Sequence, residues 1–275
     1  MRTISEINVG VIGTGKMGSA IIKGMVKSGT IPPWKINVFD VDRDKTLELQ
    51  KEAGITVLDS NEQVMEESNV IILAVVPSVI KPVLEQCGHM LEEKILVSIA
   101  AGVPISTYKG ILGNDARIVR AMPNRPAMVF EGITLISYQR DEINNEEIDI
   151  VKNLFRSVGR VEVLDESLMD EVVALTSSSP AYVFMMIESM ADATVLSGIP
   201  RKIAYTMAAQ AVLGSAKMVL ETGKHPAELK DEICTPAGTT IEAVKSLEKS
   251  CFRYAIMEAM CKCTEKAKII GEKYK

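Results

Sequence analysis

The chain has 275 residues, of which 47% belong to the hydrophobic set and 24% are charged. This composition is typical of globular proteins and excludes a disordered or collagen-like chain, while the length predicts one or two domains. The net charge is −5, and the Lys and Arg residues are scattered along the sequence. Phosphate backbones attract clustered positive charge, so no nucleic-acid partner is expected.

The hydropathy pattern bears on the location of the protein. The longest uninterrupted apolar runs, such as residues 70–77, are far shorter than the roughly 20 residues that cross a bilayer. The N-terminal segment contains an acid and leads directly into a predicted strand, without the apolar stretch and cleavage site of a signal peptide. We therefore expect a cytoplasmic protein with no membrane partner.

Through about residue 163, short β-branched runs alternate with longer segments of helical periodicity. Continuous apolar runs such as residues 70–75 are typical of buried parallel strands. Strands are predicted at residues 7–13, 36–40, 55–58, 70–75, 95–99, 117–121, 133–137 and 160–164. This part of the chain is predicted to be an α/β domain.

Three glycines follow the first predicted strand with the spacing Gly-x-Gly-x-x-Gly, before a helix predicted over residues 19–27. Gly13 allows a tight turn, Gly15 lets the backbone approach a pyrophosphate, and Gly18 allows close packing of helix and strand. The second predicted strand ends in Asp40, 22 residues after Gly18. An acid there accepts hydrogen bonds from the adenosine ribose. Together these features predict a dinucleotide site rather than a purely structural turn.

The identity of the dinucleotide stays open at this point. Asp40 favours NADH, because a carboxylate repels the 2′-phosphate of NADPH, whereas Arg43 offers that phosphate a cation. Asp42 is also a good helix N-cap, so the segment has a structural interpretation as well.

Beyond about residue 165 the strand runs stop, and segments rich in Ala, Met, Glu and Lys are separated by turns at 198–200, 223–226 and 235–238. This pattern predicts an all-helical domain, with domains at residues 1–164 and 165–275. Frequent Met and Ala indicate helix packing or a subunit interface. About 110 residues of apolar helices seldom form an independent globule, so a homo-oligomer is expected.

The five cysteines are odd in number and include no Cys-x-x-Cys pair. Such usage predicts reduced thiols rather than a disulfide framework or a zinc site. Cys261 and Cys263 lie two positions apart in a helical pattern, so their side chains point to different faces. No metal site is predicted.

Two hydroxyl-rich segments, residues 176–179 and 235–240, each precede a predicted helix. Backbone N–H groups at helix starts, with Ser or Thr hydroxyls beside them, suit a small carboxylate. Plain N-capping by one hydroxyl in each segment is the alternative.

Further motifs occur at residues 12–18, 73–77, 97–102, 120–124, 179–184, 225–229 and 235–240. On these motifs, the last being the most specific, the sequence resembles the pyrroline-5-carboxylate reductase family over essentially its whole length. The resemblance implies an N-terminal Rossmann-like dinucleotide-binding domain followed by an all-α C-terminal dimerisation domain. It also implies homodimers, which in the family commonly assemble into larger rings, and an active site built where domains of partner subunits meet.

The activity that the resemblance implies is reduction of 1-pyrroline-5-carboxylate to L-proline by hydride transfer from NADPH or NADH, the last step of proline biosynthesis. Thr240 would be the catalytic residue, with its hydroxyl at the ring nitrogen, and Thr235, Gly238 and Thr239 would hold the substrate carboxylate. With Asp40 included from the glycine motif, the predicted cofactor-binding residues are Gly13, Thr14, Gly15, Lys16, Met17, Gly18, Asp40, Asn61, Ala74, Val75, Pro77, Ala100, Ala101 and Gly102.

The chain departs from the family pattern at several of these motifs. The departures are Val76, Ser78, Arg125, Ser177, Ser179 and Ala237, where the family commonly has Lys, Gln, Thr, Gly, Gly and Gly. Cofactor preference and the shape of the substrate pocket therefore stay open.

The residue types in the chain suit the reduction of an imine better than the reduction of a ketone. Ketone reduction generates an alkoxide and needs a proton donor, whereas hydride addition to a protonated imine yields a neutral amine. The chain has only two histidines, His89 and His225, and no Lys between residues 170 and 184. Two alternatives remain: hydride transfer to another small acid, such as a hydroxyacid or a six-membered cyclic imine, and a non-catalytic dinucleotide-binding module.

Overall fold

The computed structural model describes residue 4 and residues 6–274. The chain forms two compact units. The first consists of the described residues up to Ser177 together with those from Thr264 onward, and the second is Ser178–Cys263.

An eight-stranded sheet forms the centre of the first unit, in the order β3-β2-β1-β4-β5-β6-β7-β8. Its strands are β1 (Val9–Ile12), β2 (Ile36–Phe39), β3 (Thr56–Val57), β4 (Val70–Leu73), β5 (Ile95–Ser98), β6 (Arg117–Pro123), β7 (Gly132–Tyr138) and β8 (Gly159–Val163). The β6 and β7 pair is antiparallel, and every other neighbouring pair is parallel. All eight predicted strands are therefore present.

Helices cover both faces of this sheet. They are α1 (Lys16–Lys27), α2 (Arg43–Ala53), α3 (Asn61–Glu67), α4 (Pro77–Cys87), α5 (Ile105–Leu112) and α6 (Asn145–Arg156). Successive residues of β4 point to opposite faces, so Val70 and Ile72 join one buried cluster while Ile71 and Leu73 join the other. Burial on both faces explains why β4 is a continuous apolar run.

The strand order predicts a ligand crevice at the carboxyl ends of the interior strands β1 and β4. β1 pairs with β2 on one side and with β4 on the other, and the chain order reverses there. In an open parallel sheet, ligands bind beyond the carboxyl ends of the strands at this reversal. The glycine motif follows β1 directly, so it lies beyond the carboxyl end of β1 at this reversal of chain order.

The first unit extends past its last strand. Although β8 ends at Val163, Met169 is completely buried in a small cluster with Met122 and Leu135. Burial of this side chain keeps residues up to Ser177 in the first unit, beyond the predicted division at 164/165.

The second unit contains α7 (Ser179–Leu196), α8 (Arg201–Thr222), α9 (Pro226–Ile233) and α10 (Thr239–Lys249), and α11 (Phe252–Gly271) begins in it. The hydrophobic residues buried in this unit are mostly small: Ala191, Ala204, Ala208 and Leu229. Many large apolar side chains on the same helices are exposed in the single chain.

One described helix, α8, is long and apolar enough by length and composition to cross a membrane, with a mean hydropathy of 1.3. Polar residues such as Thr206, Gln210 and Ser215 interrupt its apolar runs, so no long uninterrupted run marks this helix in the sequence. Only 11% of the apolar window is buried within the single chain.

The last residues of α11 and those after it pack within the first unit. Lys268 forms an ion pair with Glu171 at 2.6 Å, and the Thr107 hydroxyl donates a hydrogen bond to the Tyr274 carbonyl at 2.5 Å. A Cβ atom at Gly102 would lie 3.9 Å from the Gly271 Cα. The chain therefore leaves the first unit at Ser177 and returns to it at Thr264.

Candidate functional site

The three glycines of the motif differ in what surrounds them. Gly13 has a φ of 99°, and a Cβ there would lie 2.6 Å from the Ala74 carbonyl oxygen. A Cβ at Gly18 would lie 2.2 Å from the Gly13 oxygen, whereas a Cβ at Gly15 would have no atom within 4 Å. Two of the glycines therefore permit the turn and its close packing, and the third borders open space that a ligand can enter.

The N terminus of α1 begins at this open position. Gly15 is the N-cap, and no side chain among the described residues accepts a hydrogen bond from the first turn of the helix. Its backbone N–H groups and the positive end of the helix dipole are available to an anion.

Asp40 lies at the end of β2 and is bound to the glycine loop. Its Oδ2 atom accepts hydrogen bonds from the Thr14 backbone N–H at 2.5 Å and from the Thr14 hydroxyl at 3.0 Å. Its Oδ1 atom accepts the Asp42 N–H at 2.9 Å. These three donors hold the carboxylate in one position beside the loop.

A cleft of about 260 Å³ opens beside this loop. It brings together six of the predicted cofactor-binding residues: Gly13, Gly15, Asp40, Asn61, Ala74 and Val75. Apolar residues that the sequence analysis had not assigned, including Phe39 and Val79, line it as well. Val79 lies three positions after Val76 on α4, so helical spacing from the 73–77 motif could have identified it.

Asn61 supplies independent evidence for a ligand in this cleft. Its Oδ1 atom is buried and has no hydrogen-bond partner among the described residues. Buried polar atoms are nearly always paired, so an unpaired one in the wall of a cleft indicates a ligand or water partner. The open space at Gly15, the uncapped α1 and the free Asn61 oxygen together fit a dinucleotide.

The remaining predicted cofactor residues are not among those that line this cleft. Thr14, Lys16 and Met17 belong to the loop itself and to the first turn of α1. Pro77 is the first residue of α4. Residues 100–102 follow β5, the strand next to β4, and Gly102 has a φ of 75°.

The predicted substrate segment, residues 235–240, forms a tight turn in the second unit. The Gly238 N–H donates to the Thr235 carbonyl at 3.0 Å, and α10 begins at Thr239. A Cβ at Gly238 would lie 2.3 Å from the Thr235 Oγ1, so any other residue there would force the Thr235 side chain to move. Thr240 is half-buried in the first turn of α10, where no described side chain caps the helix. The first-turn N–H groups of this helix suit a carboxylate.

Ala237 occupies the sharpest position of this turn. Its φ of 57° lies in the left-handed region, which costs a residue with a Cβ about 1–2 kcal/mol. The turn therefore contains local backbone strain.

The other hydroxyl-rich segment has mainly internal partners. The Thr176 hydroxyl donates to the Val172 carbonyl at 3.1 Å, and the Asn124 amide donates to the Thr176 carbonyl at 3.0 Å. The Cys263 thiol lies 3.1 Å from the Ser178 Oγ. Burial, and then the neighbouring Cys263, raises the pKa of Tyr182, which keeps its phenol protonated at neutral pH. These contacts favour a structural role for the segment.

Neither histidine lies in the cleft or the 235–240 turn. The His225 Nδ1 atom accepts the Ala227 N–H at 3.1 Å and caps α9, which is the structural role expected at a helix entry. His89 lies in a short helix, Gly88–Leu91. Among the described residues, no three His, Cys, Asp or Glu side chains form a group that could hold a metal ion.

Comparison with known proteins identifies both parts of the chain. Residues 166–270 match the family described as pyrroline-5-carboxylate reductase dimerisation, and residues 8–102 match NADP oxidoreductase coenzyme F420-dependent. Pyrroline-5-carboxylate reductase of Escherichia coli is 47% identical, over 97% of this chain and 99% of that protein. The reductase of Methanosarcina acetivorans is 44% identical, over 96% of this chain and 98% of that protein.

Solved structures give the same result. A pyrroline-5-carboxylate reductase from Coxiella burnetii has a TM-score of 0.92 and 31% identity, covering 96% of this chain and 98% of that one. A Plasmodium falciparum pyrroline carboxylate reductase with NADP bound has a TM-score of 0.85 and 30% identity, covering 98% of this chain and 100% of that one. The chain thus combines an N-terminal Rossmann-like domain with an all-helical C-terminal part, and it belongs to the pyrroline-5-carboxylate reductase family.

Proposed function

We propose that the protein reduces 1-pyrroline-5-carboxylate to L-proline with NADPH or NADH as the reductant. The observation that carries this proposal is the 47% identity to a named reductase over nearly the whole of both chains. The cleft beside Gly15 and the uncapped turn at residues 235–240 supply sites of the right chemistry.

When bound in this cleft, a reduced nicotinamide dinucleotide would supply the hydride. The residues of this chain have three tasks around it. The α1 N terminus binds the pyrophosphate, and Asn61 offers its unpaired oxygen to a donor on the cofactor. Backbone N–H groups at the start of α10 bind the substrate carboxylate, assisted by the Thr235 and Thr239 hydroxyls.

Thr240 is proposed to orient the imine. Its hydroxyl can bond the ring nitrogen, which turns one face of the carbon–nitrogen double bond toward the hydride. Hydride addition to a protonated imine neutralises a positive charge, so the site needs no strong acid at the reacting atom. This agrees with the histidines lying outside the cleft and the 235–240 turn.

We further propose that the protein works as a homodimer through the second unit. Phe184, Met207 and Leu213 are 61%, 55% and 54% exposed in the single chain, a degree of apolar exposure typical of an interface. Burial of these side chains between two copies of the chain would explain the high hydropathy of α8 without a membrane. A ring of such dimers is proposed from the family resemblance. A cytoplasmic location and a division into functional domains at 164/165 are proposed from the sequence pattern.

The direct test is the fall in nicotinamide absorbance when the purified protein meets 1-pyrroline-5-carboxylate, with a six-membered cyclic imine acid and a small 2-oxoacid in parallel. Oxidation that is fastest with the five-membered imine supports the proposal. A faster rate with either alternative substrate would reassign the reaction. Cofactor binding without turnover on any substrate would favour a non-catalytic module.

The Thr240→Val variant tests the catalytic assignment. Loss of a hydrogen bond to a charged nitrogen is expected to lower kcat about tenfold or more while cofactor binding stays unchanged. Thr56→Val on the edge strand β3 makes the same chemical change at a residue that lies outside the 235–240 turn and does not line the cleft, and it serves as the control. Unchanged turnover in Thr240→Val would remove Thr240 from this role.

A further inference from the structure

We propose that Asp40 makes this protein select NADH over NADPH. The inference rests on the proposed function, since it concerns which reductant occupies the cleft beside the glycine loop. The two nucleotides differ only in the 2′-phosphate of the adenosine ribose, and the end of β2 is where that ribose lies in a dinucleotide fold. The side chains at this point therefore decide the selection.

The Asp40 carboxylate cannot easily move away from an incoming phosphate. The Thr14 N–H and hydroxyl hold its Oδ2 atom, and the Asp42 N–H holds its Oδ1 atom. Thr14 is itself buried within the glycine loop, so the carboxylate is fixed to the part of the site that binds the cofactor. A carboxylate still has lone pairs free to accept a ribose hydroxyl, while a phosphate finds only repulsion.

The N terminus of α2 would otherwise be the natural position for a 2′-phosphate. The Asp42 side chain already occupies it, accepting the Lys45 N–H at 3.3 Å. The Lys45 ammonium group lies 2.7 Å from the other oxygen of Asp42. This helix terminus is therefore capped and its nearest lysine is neutralised by a neighbouring carboxylate.

Arg43 is the cation that could favour NADPH, and the structure gives it another partner. Its guanidinium lies 2.8 Å from a carboxylate oxygen of Asp59. Both side chains are mostly exposed, so the pair is weak and a phosphate could compete for the arginine. Arg43 is accordingly the residue through which the proposal could fail.

The other basic side chains near the glycine loop either lie away from the end of β2 or are paired with a carboxylate. Lys23 and Lys45 line an adjoining cleft, and the Lys23 ammonium lies 2.7 Å from Glu52. Lys16 is the first residue of α1, at the helix N terminus that would hold the pyrophosphate shared by both nucleotides. The 40–45 segment and Asp59 together contain four carboxylates and two cations, so the local field opposes an additional phosphate.

The experiment compares the equilibrium dissociation constants of NADH and NADPH for the purified full chain, measured by nicotinamide fluorescence in low-salt buffer. We expect NADH to bind about tenfold or more tightly. In Asp40→Ser, which removes the charge and leaves room, the ratio of the two constants should shift toward NADPH by about tenfold or more. The thermal unfolding midpoint of each variant verifies that it is folded.

Three further variants make the test specific. Asp40→Asn keeps an acceptor for Thr14 while removing the charge, so it should shift the ratio in the same direction even if the serine variant unfolds. Asp44→Asn removes an exposed acid from the same helix turn and should leave the ratio within about twofold of wild type. Arg43→Ala should preserve the preference for NADH.

Two results would overturn the inference. One is equal or tighter binding of NADPH by the wild-type chain, and the other is loss of NADPH binding in Arg43→Ala with an unchanged ratio in the Asp40 variants. Neither depends on the substrate, because no imine is present in the binding measurement. Failure to reduce any imine would contradict the proposed function and leave this result intact.

Discussion

The two units of the chain bury their apolar residues in different ways. In the first unit, large side chains such as Ile21, Met25 and Tyr108 are completely buried between the sheet and its helices. In the second unit, alanines are buried while residues such as Phe184 and Leu213 are more than half exposed. The first unit therefore completes its core with its own chain, whereas the second has the surface of a protein that needs a partner.

The largest expected effect comes from a charge on the exposed face of α8. If a second copy covers this face, Leu213→Arg places an unpaired cation in an apolar interface. We expect the protein to become monomeric and its specific activity to fall by about tenfold or more. Size-exclusion chromatography with light scattering measures the first effect.

A matched variant in the first unit makes that result interpretable. Trp34 is 71% exposed, so Trp34→Arg puts the same charge on an apolar surface residue of the self-contained unit. It should leave both mass and activity unchanged. A wild-type protein that is already monomeric at micromolar concentration would contradict the proposed dimer and remove the basis of the comparison.

A smaller effect is expected from truncating the core of the first unit. Ile21→Ala removes a completely buried side chain and should lower the free energy of unfolding by about 2–5 kcal/mol. Met207→Ala in the second unit should destabilise mainly by weakening association, so its loss of stability grows as the protein is diluted. Thermal unfolding over a hundredfold range of protein concentration separates the two. The distinction between the two units would be refuted if Ile21→Ala and Met207→Ala changed the melting temperature, relative to wild type, with the same dependence on dilution.

The smallest effect concerns the strained turn of the second unit. Ala237→Gly relieves a left-handed residue but gains conformational freedom in the unfolded chain, so we expect a net stabilisation of about 0–1 kcal/mol. Ala243→Gly, in the exposed interior of α10, should instead cost about 0.5–1 kcal/mol. Urea unfolding at one protein concentration compares them. Equal destabilisation by both variants would mean that the turn holds no relievable strain.

Much of the first unit could be predicted because its signals are local. Strand β4 is recognisable from its apolar run, and the glycine motif from its spacing. The start of α1 was predicted three residues late, because the segment from Lys16 to Gly18 has no apolar periodicity. The backbone at Gly15, rather than a hydrophobic stripe, defines that start.

The features that sequence alone does not reveal depend on contacts between distant positions. Asp40 was assigned from its place after β2, yet its bonds to Thr14 join residues 26 positions apart and leave no trace in sequence spacing. Burial of Met169 against β6 and β7 likewise extends the first unit beyond the last strand. Hydrogen bonding and packing of this kind arise only once the chain has folded.

The return of the chain to the first unit has a consequence for its synthesis. Residues from Thr264 onward complete that unit, but the ribosome must first translate the 86 residues of Ser178–Cys263. At about 5–20 residues/s this takes roughly 4–17 s. During that interval the nucleotide-binding sheet exists without its closing segment, so Gly102 and Thr107 face solvent instead of Gly271 and Tyr274. A premature stop codon just after Cys263 would therefore damage the half of the protein that was made first.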